Sequence, residues 1–182
     1  MDLRPKIQLD SMIKAMTEVV LPAVDPNNQL AREQAQLVLG MLHLMAARLP
    51  WQFHFDIDAL DRAVNLSSFI LENSDGGSAT QHALKDLKQA SEGASGVLAR
   101  ASVSPDKLEE TLLELRAKTS SVVDALWTDG EIDCRDSIAR AVLDAAREQT
   151  TRERAWFAPQ GWDNPAEAPL PLEGLLKTTP DD

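Results

Sequence analysis

From residue 5 to residue 157, apolar side chains recur at intervals of three and four, and the strongest chain breakers fall between the recurring blocks. That period belongs to an α-helix with one buried face, so the expected fold is all-α: an up-and-down bundle of about six helices. The first helix covers about 6 to 21, with Leu9, Met12, Ile13, Met16, Val19 and Val20 turned inward and Pro22 ending or kinking it. Asp25-Pro26, a cap residue followed by proline, opens the second, which stops before Pro50. Its back half, Leu37 to Ala47, is apolar nearly all round and reads as buried on most sides. The third covers about 57 to 73, with Ile57, Leu60, Val64, Leu71 and either Ser67 or Ser68 inward and Asp56 or Asp58 as cap.

Asn73-Ser74-Asp75-Gly76-Gly77-Ser78 breaks the chain. The fourth helix, about 79 to 101, is weakened by Ser91, Gly93, Ser95 and Gly96, while Ala90, Gly93 and Ala94 leave room for a close neighbour. Ser104-Pro105 caps the fifth, whose seam is Leu108, Leu112, Leu115, Thr119, Val122 and Leu126, with Glu114 and Lys118 paired on its outer side. The sixth, about 131 to 157, offers Ile138, Val142, Ala145 and Trp156 inward, and Asp136, Arg140, Asp144, Glu148 and Arg152 to solvent. The expected domain is therefore 1–157, in three-helix halves 1–73 and 79–157 joined by a Gly/Ser linker. Residues 158–182 hold five of the ten prolines and form a proline-rich extension.

Eighteen basic residues against 29 acidic ones leave a net charge of −11, which removes the basic footprint that nucleic acid or an anionic membrane requires. The charge is unevenly spread. Residues 1–50 carry five acids and five bases, net zero, and all of the excess lies beyond them. The first two helices are accordingly expected at the centre of the bundle. The densest apolar run, 37–49, contains His43 and Arg48 and falls short of the roughly 20 residues that span a bilayer. With that, no signal-like apolar segment and a single cysteine, the expectation is a cytoplasmic protein off the membrane.

Motifs for chemistry fail one by one. A di-iron bundle needs Glu three residues before its histidines, but His43, His54 and His82 are preceded there by Gly40, Trp51 and Ala79. HExxH, the Walker A loop, GxGxxG and CxxC do not occur, so no metal or cofactor is expected. Cys134, beside Glu131, Asp133 and Asp136, is a poor nucleophile. His82 and Asp86 read as an exposed helix pair.

One constellation remains: Trp51-Gln52-Phe53-His54-Phe55-Asp56-Ile57 alternates rings with polar groups, as an extended segment with its rings inward would. Such a segment either plugs the end of the bundle or walls a pocket formed by His43, Trp51, Phe53, His54, Phe55 and Asp56. The leading expectation is a non-catalytic protein that acts through a protein partner or by self-association, as a homodimer pairing Leu37, Met41, Leu44 and Met45 of the second helix or through the fifth-helix seam. The alternative is a small-molecule-binding bundle or cofactorless enzyme that uses the 51–57 segment. In the extension, Trp162, Leu170, Leu172, Leu175 and Leu176 are apolar enough to dock on a folded surface.

Overall fold

The structure, a computed structural model that describes residues 4–100 and 102–177, is all-α, with no strand among those residues. Pro5 opens α1 (Pro5–Ala15), where its missing N–H has no helical acceptor to lose. The helix then widens into a π-turn (Met16–Val20) and continues as α2 (Leu21–Ala23). In that turn the Leu21 N–H donates to Met16 O, five residues back. The wider turn gives room to the ring of Pro22, which in a regular helix collides with the carbonyl four residues earlier. The helix ends one residue beyond Pro22, at Ala23.

The second long helix, α3 (Gln29–Arg48), starts later than Asp25-Pro26 suggests, because Asn28 is the cap: its Oδ1 accepts the Ala31 N–H at 3.0 Å. Asp25 instead closes a turn by accepting the Asn27 N–H at 2.9 Å. After a turn in which the Trp51 N–H donates to Arg48 O, the chain is helical again in α4 (Gln52–Asn73). This overturns the extended reading of 51–57. No glycine or proline lies between Trp51 and Asn73, and once a helix has nucleated each further residue adds a hydrogen bond. Asp56 and Asp58 thus lie inside α4 rather than ahead of its first residue. Three long helices follow: α5 (Ser78–Leu98), α6 (Pro105–Asp129) and α7 (Ile132–Phe157). Beyond them, among the described residues, come only 3-10 turns, Ala158–Gln160, Pro165–Glu167 and Leu172–Gly174.

Two compact units share the chain, and neither is continuous in sequence nor coincides with the three-helix halves. One comprises residues 4–52 with Arg152–Leu175, the other Phe53–Thr151 with Leu176 and Lys177.

The second unit holds the main core: Leu60 and Ile70 of α4, Leu84, Leu87, Ala94 and Val97 of α5, Leu108, Leu115, Val122 and Leu126 of α6, and Ile138 of α7. The first two helices, expected at the centre, contribute no residue to this core. Leu112 and Thr119 of the expected seam are only half-buried, and Thr111 is buried instead, its hydroxyl donating to Lys107 O at 2.6 Å. Ser67, not Ser68, completes the buried side of α4 and donates to Ala63 O at 2.8 Å. Lys118 reaches Asp86 of α5 at 3.0 Å rather than Glu114 on its own helix.

The loops before α5 and after α6 meet at the same end of this unit. Gly76 and Gly130 form an isolated antiparallel bridge, the Gly77 N–H donates to Asp129 O, and the Glu131 N–H donates to Asp75 O. The Asp129 carboxylate then accepts the Ala79 N–H at 2.8 Å, the Thr80 N–H at 3.0 Å and the Thr80 hydroxyl at 2.7 Å. The start of α5, where Gly77 has no side chain to offer, is capped by a residue about 50 positions away. The Thr80 hydroxyl bond, then the Ala79 and Thr80 amides and the charge of Arg135, hold the Asp129 carboxyl below the usual carboxylate range.

In the first unit α1 packs on α3, and so does the turn Ala158–Gln160, where the Gln160 amide donates to Gly40 O at 2.9 Å. Arg48 donates from Nε to Trp156 O and from Nη2 to Ala155 O, both at 2.8 Å, satisfying carbonyls at the end of α7. Burial here is thin. Leu9, Leu44, Ala155 and Leu172 are its buried apolar residues among those described, and Arg152, expected in solvent, is buried as well. Ile13 and Met16 are half-buried, whereas Met12, Val19 and Val20, expected inward, are exposed.

Candidate functional site

A helix turns about 100° per residue, which divides the surface of α3 into four faces. Ala31, Ala35, Leu39, Leu42 and Ala46 form a half-buried one. Gly40, Leu44 and Arg48 form a second, which receives Gln160, Ala155 and Trp156 through the bonds above. Arg32, Gln36 and His43 make a polar, open third. On the fourth, Leu30 is 68% exposed, Leu37 54%, Val38 49%, Met41 45% and Met45 53%, with Gln34 among them. From Gln34 to Ala47 there is no Asp, Glu, Lys or Arg.

Three of the four residues singled out from the sequence, Leu37, Met41 and Met45, are thus exposed on one face, whereas Leu44, two turns beyond Leu37, is buried. The sequence reading missed Leu30 and Val38. Their signal was the spacing of seven from Leu30 to Leu37 and of three from Val38 to Met41. Together the five side chains expose on the order of 500 Å² of apolar surface, at the upper end of the roughly 300–600 Å² found for the largest patch of a monomer. The α1–α2 rod adds Ile7, Met12, Val19 and Val20 to the exposed apolar side chains of the same unit.

The six pocket candidates fall in different units. His43 is exposed and Trp51 half-buried in the first, while in the second Phe53 is exposed and His54, Phe55 and Asp56 are half-buried on the first turns of α4. The Phe53 and His54 rings meet edge to face at 6.0 Å. Helical rather than extended backbone separates the three rings around the axis, so the alternation of rings and polar groups defines no wall.

A cleft of about 530 Å³ lies elsewhere, between α5 and α6, lined by Asp86, Ala90, Gly93, Val97 and Arg100 on one side and Lys107, Thr111, Glu114 and Lys118 on the other. Its floor is small residues, and a side chain at Gly93 would meet no atom within 4 Å. Lys118, by hydrogen bond and charge, holds the Asp86 carboxyl below its ordinary range, with His82 and Lys85 adding to the effect. No candidate from the 51–57 segment lines this cleft.

Of the extension, Leu172 and Leu176 are buried, Leu175 is half-buried, and Trp162 and Leu170 are exposed. Trp162 stacks on Phe157 at 5.8 Å, and Arg154 grips the segment by donating to Asp163 Oδ1 at 3.1 Å and Glu167 O at 2.8 Å. Among the described residues no group of three His, Cys, Asp or Glu side chains is placed to hold a metal ion, and no helix is long and apolar enough to cross a membrane. No protein-family model, curated protein sequence or solved structure matches the chain.

Proposed function

We propose that this is a non-catalytic association protein whose working surface is the open apolar face of α3, and that the face pairs with the same face of a second copy. The observation that carries this reading is the coincidence of exposed Leu30, Leu37, Val38, Met41 and Met45 with residues 1–50, which carry no net charge. Two copies at −11 each repel one another wherever charged surfaces approach within a Debye length, roughly 8–10 Å. The repulsion is least where residues 1–50 meet, and a two-fold pairing covers both apolar faces at once.

Light scattering at micromolar concentration tests the proposal. The unaltered chain is expected at twice its 20.0 kDa mass, and Leu37→Lys with Met41→Lys is expected to return it to a monomer with unchanged helical circular dichroism, since both side chains are already in solvent. A monodisperse 20.0 kDa particle for the unaltered chain refutes the pairing.

A further inference from the structure

Asp58, on the second turn of α4, is 2% exposed. A carboxylate taken out of water persists where hydrogen-bond donors replace the lost solvent, and two such donors reach it. Arg62 Nε donates at 2.8 Å from one turn along the helix, and the main-chain N–H of Lys177 donates at 3.2 Å from 119 residues away. Arg62 is held in turn by Glu148 of α7 at 2.9 Å. The Lys177 ammonium pairs with Asp61, three positions from Asp58 and therefore on the same side of α4. Leu176, next to it, is buried.

A buried acceptor for a main-chain N–H and a carboxylate for a lysine, beside a leucine that is itself buried, amount to the specification of a short peptide. We propose that this surface of α4 is a recognition site for a leucine–lysine peptide segment, filled in cis by Leu176–Lys177 and able to take the same segment from a second copy when its own is released. Pro165, Pro169 and Pro171 keep the residues before the segment out of long helices, and swapping an identical element between copies recreates every contact. The site uses no residue of the α3 face, so it can fail or hold independently of the pairing proposed above.

The test uses a fluorescently labelled peptide copying residues 170–177 and the full chain carrying Leu176→Asp and Lys177→Glu, which frees the site. A tethered segment acts at an effective concentration on the order of millimolar, so the unaltered chain is expected to bind the peptide at least about tenfold more weakly than the freed chain. Adding Asp61→Lys should abolish binding, and a peptide with glutamate in place of its lysine should restore it. The proposal is overturned if the freed chain, with unchanged circular dichroism, does not bind the peptide, or binds it equally well with Asp61→Lys. Should the double variant unfold, Lys177→Ala alone, which alters an exposed side chain, must still increase peptide binding over the unaltered chain.

Discussion

Gly93 and Gly96 sit inside α5, and a Cβ placed on either meets no neighbouring heavy atom within 4 Å. Replacing both with alanine therefore tests whether these glycines are there for packing. Each interior glycine costs a helix about 0.5–1 kcal/mol relative to alanine, mainly through the freedom it loses on folding. Because each gain comes from the backbone rather than from a side-chain contact, the pair should give about 1–2 kcal/mol. For a unit of about 100 residues this corresponds to a rise of roughly 5–10 °C in melting temperature. Urea denaturation followed at 222 nm gives the free energy, and calorimetry gives the melting temperature. Gly76→Ala is the internal control, because its Cβ would stand 2.7 Å from Gly130 Cα and 2.7 Å from Thr80 Oγ1. Relieving that overlap means separating two loops, and the loss should be about 1–3 kcal/mol. A double variant less stable than the unaltered chain, or a silent Gly76→Ala, would falsify the reasoning.

Leu115→Ala should cost about 3–5 kcal/mol and Leu112→Ala clearly less, since the first is fully buried and the second half-buried; equal losses in denaturant melts would place the seam wrongly. Glu110→Ala removes an exposed partner of Lys107 and should stay within about 0.5 kcal/mol in the same melts. Asp129 has a lowered folded-state pKa, so its contribution is present above the unfolded carboxylate pKa and lost as pH falls through the folded one. Asp129→Asn should therefore melt below the unaltered chain at neutral pH, with the gap closing in strong acid. A gap independent of pH across that range would remove the carboxylate's charge from the account of the cap.

Helical class, the Ser104 cap and the break at Gly76-Gly77 were legible because each rests on local chemistry. The 51–57 segment misled because a seven-residue alternation of rings and polar groups fits a period of two, while the absence of any breaker up to Asn73 favoured helix. Arg152 misled in a similar way: the alternating signs of α7 describe one solvated stripe over most of its length but not at Arg152, which is buried. Lys118 has two carboxylates within reach, and only the packing of α5 on α6 selects Asp86. For α3 the composition announced an apolar surface all round. Whether a second layer covers every face depends on what the rest of the chain can supply, and no local pattern records that.

The bridge between Gly76 and Gly130 and the grip of Asp129 on the start of α5 also bear on how this chain can be altered. They pin α5 and α6 together at the end opposite their own connection, so the helical hairpin is closed by contacts there as well as by the covalent chain. A cut or an insertion between Arg100 and Ser104 then leaves both helices registered by the far end. New chain termini, or an inserted reporter domain, belong in that connection, and the glycine-lined loops at the other end are where the chain tolerates least.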